Sequence, residues 1–320
     1  MMDTRGVRGV LFIPAVATLL AVLSLCGLCA AQAAVTWPAA VAHAAQFSPE
    51  ARIVVLDIAS GRLLASSHLA EAGRTLAAPG STLKPLVLYS LIASGRWDPS
   101  RRIACTRKLN IAGRSLNCSH PAADPMDARE ALTWSCNTYF AAVGGTLAPG
   151  ELRTLLEPTG LLSPATFVPA QVTAVLHNPQ TPDHSRLAVL GVEGILVTPL
   201  ELAAAYRWLA IQIAAHPESV AAQVVLAGLQ DSASFGMAGA ASLGEVPVAG
   251  KTGTASPAAG TQTHGWFVGW APSGAASTGL VSPGQARVVI AVYLPAGHGA
   301  DAARVGAELL AHSPLRKVER

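Results

Sequence analysis

The chain has 320 residues, of which 51% are hydrophobic and only 13% charged, and its formal net charge at pH 7 is +3. A chain of this length can bury the core of one large domain or two small ones. The weak charge balance, without clusters of lysine or arginine, argues against nucleic acid as a partner. We see no glycine-rich phosphate loop and no metal-ligand cluster among the scattered histidines, so the sequence predicts neither a cofactor nor a metal.

Residues 1–34 have the pattern of an export signal. Arg5 and Arg8 precede an uncharged apolar run over 10–31, and a small-x-small cleavage site follows at Ala31 to Ala33. The run is also long enough to cross a bilayer. The sequence therefore leaves two alternatives, a cleaved signal peptide or a single N-terminal anchor. Either one predicts an extracytoplasmic location, in the periplasm or on the outer face of the cytoplasmic membrane.

The segment after the leader, residues 35–50, is rich in alanine and is interpreted as a linker. We place one exported domain at residues 51–316. It opens with a predicted hairpin, in which an apolar strand over 53–58 is joined by a turn to a second strand over 63–66.

An apolar helix that carries a lysine is predicted next. Pro79 and Gly80 break the chain, and Ser81 is a favourable residue at a helix start. The residues from there to Ile92 are apolar on most sides, so the helix is predicted to be buried. Lys84 lies one turn after Ser81, on the same face. Because burial lowers the pKa of a lysine, Lys84 is a candidate base for the Ser81 hydroxyl.

The use of basic residues supports this interpretation. Only four of the 22 basic residues are lysines, so arginine supplies most of the surface charge. Arginine does not act as a base in practice, whereas lysine can. A lysine inside an apolar helix of this chain therefore favours a catalytic role over an ordinary surface position.

Three cysteines follow the leader, and an exported chain can form disulfides. Cys105 and Cys118 flank a polar segment with a turn signal, Ala112-Gly113, near its middle. A disulfide between them would close a short hairpin and contribute roughly 3 kcal/mol to stability. Cys136 is left as a single thiol that we expect to be buried.

The rest of the chain predicts helices and then strands. Helices are expected over 125–143, 151–157, 198–214 and 219–230, with a proline-rich irregular stretch over 160–190. The third helix opens with a capping box, Thr198 to Glu201. Three strands over 246–255, 265–270 and 287–293 precede a closing helix over 301–311. These elements predict an α+β domain, with a central antiparallel sheet from both chain ends, flanking helices and a mainly helical insert.

Two further motifs complete a constellation with Ser81 and Lys84, which form S-x-x-K. Ser135-Cys136-Asn137 has the form S-x-N, and Lys251-Thr252-Gly253 has the form K-T-G. These three motifs occur together in class A β-lactamases and penicillin-binding proteins. A chance K-T-G is expected only about 0.02 times in a chain of this composition.

On these motifs the chain resembles the transpeptidase domain of penicillin-binding proteins over most of residues 51–312. The stretches Ala131 to Phe140 and Trp266 to Trp270 are similar to family segments around S-x-N and after K-T-G. The resemblance implies a β-lactamase/transpeptidase-like fold. It also implies a D,D-transpeptidase that acts on D-Ala-D-Ala stem peptides of peptidoglycan through an acyl-serine intermediate.

The resemblance implies a role for each residue of the first two motifs. Ser81 would attack the carbonyl carbon of the terminal D-Ala-D-Ala bond, and Lys84 would take its proton. Ser135 would relay a proton to the leaving amine. Asn137 would hold the substrate amide and orient Lys84.

The third motif is implied to bind the substrate. Lys251 would lie on an edge strand and contribute positive charge, and the hydroxyls of Thr252 and Thr254 would bind the substrate carboxylate. Gly253, the third residue of the motif, is counted with these substrate-binding residues. The N–H groups of Ser81 and Thr254 would form the oxyanion hole, where one donor typically contributes ~3–4 kcal/mol.

The family also implies partners and leaves alternatives open. The partners are peptidoglycan stem peptides, β-lactams as covalent inhibitors, and a separate glycan polymerase. A D,D-carboxypeptidase would use the same motifs with water as acceptor. A class A β-lactamase needs an E-x-x-N loop, but the candidate Glu157 is followed by Gly160 in place of asparagine. A non-catalytic β-lactam sensor or binding module is the third alternative.

Overall fold

The computed structural model describes residues 35–121, 124–164, 166–242, 246–256, 262–272 and 286–315, with residues 2, 282 and 284. The predicted leader, residues 1–34, lies outside these ranges apart from Met2. The described residues from Val35 onwards form a single unit. No helix in the described ranges is both long enough and apolar enough to span a bilayer.

A five-stranded antiparallel sheet lies at the centre of the fold. The described strands, β1 to β9, are Arg52–Asp57, Leu63–Ser66, Asn110–Ile111, Arg114–Ser115, Val175–Leu176, Ile195–Leu196, Ala249–Ala255, His264–Pro272 and Ala286–Leu294. The order in the large sheet is β2-β1-β9-β8-β7, so strands from the two chain ends pair at β1 and β9. The α+β class and the shared central sheet are therefore confirmed.

Helices cover both faces of this sheet. The described helices, α1 to α10, are Trp37–Phe47, Leu69–Ala72, Lys84–Ala93, Ala128–Thr133, Asn137–Gly144, Glu151–Leu156, Pro182–Val189, Pro199–Ala215, Val220–Ser234 and Gly299–Ala311. Because side chains alternate along a strand, Ile53 and Val55 pack with α1 and α10. Val54 and Leu56 face the larger core that contains α3, α8 and α9.

Two segments are more regular than predicted. The expected linker, residues 35–50, holds α1, which starts at a Thr36 cap and buries Ala40, Val41 and Ala44. Its alanines let it pack closely on α10. The expected irregular stretch, residues 160–190, contains α7, whose first turn is capped by the Thr181 hydroxyl.

One predicted helix is interrupted. The segment 125–143 forms α4 and α5, separated at Trp134 to Cys136. Ser135 has φ 55°, in the left-handed region that a helix interior excludes. The apolar pattern continues through this break, which explains why the pattern predicts one helix. The break matters because it places the S-x-N motif at the start of α5.

The buried capping box of α8 is expected to contribute more to stability than an ordinary helix cap. The N–H of Glu201 donates to the Thr198 hydroxyl at 3.2 Å, and that hydroxyl donates to the Glu201 carboxylate at 3.0 Å. Both side chains are fully buried. We expect Thr198→Ala to lower the free energy of unfolding by about 2 kcal/mol, because it also removes a buried carboxylate's partner.

The matched control is Ser219→Ala, at the cap of α9. The Ser219 hydroxyl accepts the N–H of Ala222 at 3.2 Å, without a buried acidic partner. Its loss should cost about 1 kcal/mol. Urea denaturation of both variants measures the difference, and equal losses would contradict the role assigned to the buried box.

Candidate active site

The nucleophile candidate lies in a tight turn ahead of α3. A 3₁₀ turn over Gly80–Leu83 leads into α3, and the N–H of Lys84 donates to the Ser81 carbonyl. Gly80 has φ +55°, and a Cβ there would come within 2.8 Å of the Thr254 carbonyl oxygen. The N–H of Gly80 also donates to the Gly191 carbonyl at 2.8 Å. Close backbone contacts on two sides therefore fix the position of Ser81.

Lys84 is fully buried and its amine is held by the S-x-N motif. Its Nζ donates to the Asn137 side-chain oxygen at 2.7 Å, to the Ser135 carbonyl at 2.9 Å and to the Ser135 hydroxyl at 3.2 Å. These bonds span more than 50 residues of sequence and join α3 to the break between α4 and α5. The structure thus brings the first two motifs together.

Burial changes the acid–base properties of both motif lysines. Desolvation lowers the pKa of Lys84 from its ordinary 10.5 to about 7, against the opposing effect of Cys136 and Cys118. Desolvation, followed by the nearby charge of Lys84, holds the pKa of Lys251 well below its ordinary value. A lysine with a pKa near 7 has a large neutral fraction at physiological pH and is a competent base.

The break before α5 aims the S-x-N side chains. The left-handed conformation of Ser135 turns the chain so that Ser135 and Asn137 both reach Lys84. The Asn137 amide also donates to the Leu116 carbonyl at 3.1 Å, on the segment that follows the β3–β4 hairpin. One asparagine therefore links the base to a wall of the site.

The K-T-G motif lies on β7, which is the edge strand of the sheet. Lys251 is fully buried and donates to the Thr252 carbonyl at 3.2 Å. The Thr252 hydroxyl donates to Met237, and the Thr254 hydroxyl accepts the N–H of Gly299 at 2.9 Å. At Gly253, a Cβ would come within 3.2 Å of the backbone nitrogen of Thr82, so glycine permits the close approach of β7.

These elements enclose a cleft of about 280 Å³. The residues that line it are Ser81, Ser115, Leu116, Asn117, Ser119, Ser135, Asn137, Leu190, Val192, Met237, Thr252, Gly253 and Thr254. Six of the eight residues predicted from the motifs thus share one surface, and Lys84 and Lys251 are buried against it. Glu157 is exposed and does not line the cleft.

Sequence reasoning missed several residues that shape this cleft. Ser115, Asn117 and Ser119 lie on or just after the β3–β4 hairpin, where the sequence offers only a turn signal. The hairpin is tied to the opposite wall, because Arg114 forms an ion pair with Glu193 at 2.8 Å. Only the fold reveals this contact, because the two residues are 79 apart in sequence.

A second support lies behind the nucleophile turn. The carbonyl of Ala78 accepts the indole N–H of Trp266 at 2.9 Å and contacts the His264 ring nitrogen Nε2 at 2.8 Å. Desolvation lowers the pKa of His264, so the neutral ring is favoured at pH 7. His264 therefore has a structural role here, holding the chain before Ser81.

The three described cysteines correct one expectation. Cys105, Cys118 and Cys136 are free thiols, so the predicted Cys105–Cys118 disulfide is absent. The Cys118 sulfur lies 3.9 Å from that of Cys136, far beyond a covalent bond. The structure also brings together donor atoms that the sequence leaves scattered. The donor atoms of Cys105, Cys118, His120 and Cys136 lie within 4.8 Å of one another.

Known proteins match both the sequence and the fold. Over 130 residues the chain is 27% identical to the peptidoglycan D,D-transpeptidase PbpA of Mycobacterium tuberculosis, an alignment that covers 38% of this chain and 26% of that protein. The chain thus spans about a quarter of the length of this curated relative.

Solved structures support the same fold. The transpeptidase domain of Burkholderia pseudomallei penicillin-binding protein 3 superposes with a TM-score of 0.70 at 18% identity, covering 86% of this chain and 91% of that one. A chain of a peptidoglycan synthase complex superposes with a TM-score of 0.67 at 21% identity, covering 86% and 59% respectively. These likenesses confirm the predicted transpeptidase-like fold.

The family itself is identified by residues 51–282, well over half of the chain. They match the family described as the penicillin binding protein transpeptidase domain. The match contains all three motifs that the structure gathers around the cleft. The chain therefore belongs to the family of penicillin-binding protein transpeptidase domains.

Proposed function

We propose that this chain is a D,D-transpeptidase that acts on D-Ala-D-Ala stem peptides of peptidoglycan through an acyl-serine intermediate. The observation that carries the proposal is the buried amine of Lys84, held by Ser135 and Asn137 one helical turn from Ser81. A buried lysine with a lowered pKa, one turn from a serine, can activate the serine hydroxyl as a nucleophile by taking its proton.

In the first step the Ser81 oxygen attacks the carbonyl carbon of the penultimate D-alanine, and neutral Lys84 takes the hydroxyl proton. The negative charge that develops on the substrate oxygen is stabilised by the N–H groups of Ser81 and Thr254. Collapse of this intermediate breaks the C–N bond. Ser135, 3.2 Å from Lys84, passes the proton to the leaving D-alanine amine.

In the second step the amine of a neighbouring stem peptide attacks the acyl carbon. Its proton returns through Lys84, and Ser81 leaves as a hydroxyl. Thr252 and Thr254 line the cleft and are placed to bind the substrate carboxylate, with Lys251 adding positive charge. β-Lactams, which imitate the D-Ala-D-Ala bond, would acylate the same serine.

The lining of the cleft favours a transpeptidase over a β-lactamase. None of the described residues that line it is acidic, and Glu157, the candidate for activating water, is exposed outside it. Without a carboxylate to activate water, hydrolysis of the acyl-enzyme is expected to be slow. A D,D-carboxypeptidase remains the second candidate, since it differs only in the acceptor.

The location and partners of the protein form part of the proposal. The export signal or anchor predicted in residues 1–34 supports an extracytoplasmic site of action, where peptidoglycan is crosslinked. A similar fold occurs in a peptidoglycan synthase complex that coordinates polymerization and crosslinking. That likeness supports a separate glycan polymerase as the partner of this chain.

The test is to incubate the purified protein with a penicillin and measure its intact mass. We expect one stable drug adduct, because the site is set up for acylation but not for hydrolysis. Ser81→Ala should lose the adduct completely, and Ser60→Ala, an exposed turn serine, should keep it.

The other outcomes distinguish the alternatives. Consumption of the drug without an adduct would indicate a β-lactamase. Absence of both an adduct and drug consumption would overturn the proposal and favour a non-catalytic role. If the adduct forms, release of D-alanine from a pentapeptide with and without an amine acceptor separates transpeptidase from carboxypeptidase.

A further inference from the structure

We propose that Cys105, Cys118, His120 and Cys136 form a zinc site next to the active site. The four residues come from the loop around the β3–β4 hairpin and from the chain break before α5. Their donor atoms all lie within 4.8 Å of one another. Cys118, His120 and Cys136 are buried, and Cys105 is half-buried. Three sulfurs and one imidazole are a usual ligand set for structural Zn²⁺.

The distances between the donor atoms fit a tetrahedral ion. Bonds of about 2.3 Å to sulfur and about 2.0 Å to nitrogen place neighbouring sulfurs about 3.8 Å apart, and a sulfur and a nitrogen about 3.5 Å apart. The sulfurs of Cys118 and Cys136 are 3.9 Å apart. The sulfur of Cys105 lies 3.5 Å from Nε2 of His120. Only small shifts are needed for all four to bind one ion.

The histidine ring is oriented as a metal ligand. Its Nδ1 lies 2.6 Å from the carbonyl oxygen of Pro121, which can only accept a hydrogen bond. We therefore assign the ring proton to Nδ1, which leaves the lone pair of Nε2 directed at the sulfurs. A carbonyl that fixes the tautomer in this way is the usual partner of a metal-bound histidine.

Backbone N–H groups point at two of the sulfurs. The N–H of Asn137 donates to Cys118 at 3.2 Å, and the N–H of Arg107 donates to Cys105 at 3.4 Å. N–H donors of this kind are suitable outer partners for zinc-bound sulfur, because they hold the ligand side chain in place. Zinc binding would release three thiol protons, and three thiolates, a neutral imidazole and Zn²⁺ leave a net charge of −1.

A disulfide accounts for this cluster less well than a metal. Three cysteines can form only one disulfide, which would leave a third thiol beside an imidazole in a buried pocket. Zinc uses all four donors at once. Zinc would also crosslink the loop around the β3–β4 hairpin to the chain break before α5, which are otherwise joined by a few hydrogen bonds.

The position of Cys136 connects this site to catalysis. Cys136 is the middle residue of S-x-N, between Ser135 and Asn137, which hold Lys84. An ion bound to Cys136 would fix the left-handed turn at Ser135 and the hairpin that forms one wall of the cleft. Zinc would therefore position Ser135 and the hairpin for catalysis. This positioning role rests on the proposed function, whereas the zinc site itself does not.

The primary test is metal content. The full chain is produced in medium with added zinc, purified under reducing conditions and analysed by elemental mass spectrometry. We expect about one zinc per chain. His120→Ala and Cys118→Ala should lower the content at least about tenfold, and His184→Ala, an exposed histidine on α7, should retain it.

Two measurements keep the test valid if a variant folds poorly. His120→Cys supplies a fourth thiolate and should retain zinc. Replacing zinc with Co²⁺ in the unaltered chain should give the absorption of a tetrahedral thiolate complex. The proposal is overturned by a metal-free chain in which Cys105, Cys118 and Cys136 are all titratable thiols, by a disulfide between any two of these three, or by zinc that both variants retain.

The link to the active site is tested separately. Removal of zinc by a chelator should slow acylation by penicillin, and restored zinc should recover the rate. If zinc binds and acylation does not change, the positioning role is wrong although the site is real. If the unaltered chain never forms an adduct, the proposed function fails while the zinc measurement still stands.

Discussion

Replacing Lys84 with methionine should slow acylation by penicillin about 10²–10⁴-fold at pH 8, the range expected when a general base is lost. Methionine fills a similar volume in a site where Lys84 is fully buried, so the fold should survive. It cannot accept the Ser81 proton, and it leaves Ser135 and Asn137 without their shared donor. The measurement is the second-order rate of adduct formation by intact mass.

The pH profile of the unaltered protein should report the same group. Burial lowers the pKa of Lys84 to about 7, and only the neutral amine is a base. Acylation should therefore rise as pH increases through about 7 and then level off. The Lys84→Met variant should acylate more slowly, and its acylation rate should no longer rise as the pH increases through about 7.

Stability provides an independent readout with a definite sign. The pKa of Lys84 is lowered in the folded state, so between about pH 7 and its ordinary value of 10.5 the unfolded chain binds a proton that the folded chain lacks. The free energy of unfolding should therefore rise with pH across this window. Lys84 should contribute at most roughly 1.4 kcal/mol per pH unit to this gain. Lys84→Met should lose that contribution and keep the one from Lys251, whose pKa burial also lowers.

The control for this substitution is Lys108→Met. Lys108 is exposed on the loop before β3 and should change neither the acylation rate nor the pH profile. If Lys84→Met acylates at the unaltered rate, another group is the base. A rate loss that appears equally in Lys108→Met would point to a general effect of lost charge.

The local signals in the sequence predict much of this fold. Thr198 and Glu201 are found in the capping box that their spacing predicts. The strands at both chain ends pair as expected. The three motifs also predict that their side chains lie close together, because in the family all three motifs belong to one cleft. These features depend on a few neighbouring residues, so they can be identified without the fold.

The missed features depend on contacts between distant segments. The break at Ser135 is invisible because the apolar pattern continues through it, and tertiary contacts to Lys84 compensate for its unfavourable backbone. The Cys105–Cys118 spacing suggests a disulfide only while His120 and Cys136 are left out of account. Their convergence follows from how the β3–β4 hairpin folds over α5, which no local pattern encodes.

Gly191→Ala should be strongly damaging although Gly191 lies outside the three motifs. Gly191 has φ +69°, and a Cβ there would overlap the Gly80 carbonyl oxygen and approach the Gly80 nitrogen to 2.9 Å. The backbone must shift, because no flexible side chain can move aside. We expect a loss of about 2–4 kcal/mol in the free energy of unfolding, from the left-handed backbone and the steric overlap together.

The same shift should reach the nucleophile. Gly80 directly precedes Ser81, and its N–H donates to Gly191, so moving this contact moves the attacking oxygen. A displacement of about 1 Å is enough to slow a positioned reaction about 100-fold. Acylation by penicillin should therefore fall by at least that factor at a temperature where the variant is still folded.

Gly95→Ala separates the cost of the left-handed backbone from the cost of the steric overlap. Gly95 has φ +68°, nearly the same as Gly191, but a Cβ there would meet nothing within 4 Å. It should cost only the roughly 1–2 kcal/mol of a left-handed alanine and leave acylation unchanged. If both variants lose equal stability and both acylate normally, the contact between Gly191 and Gly80 does not hold Ser81 in place. A rate loss confined to Gly191→Ala would instead show that a loop without any motif residue sets the geometry of the nucleophile.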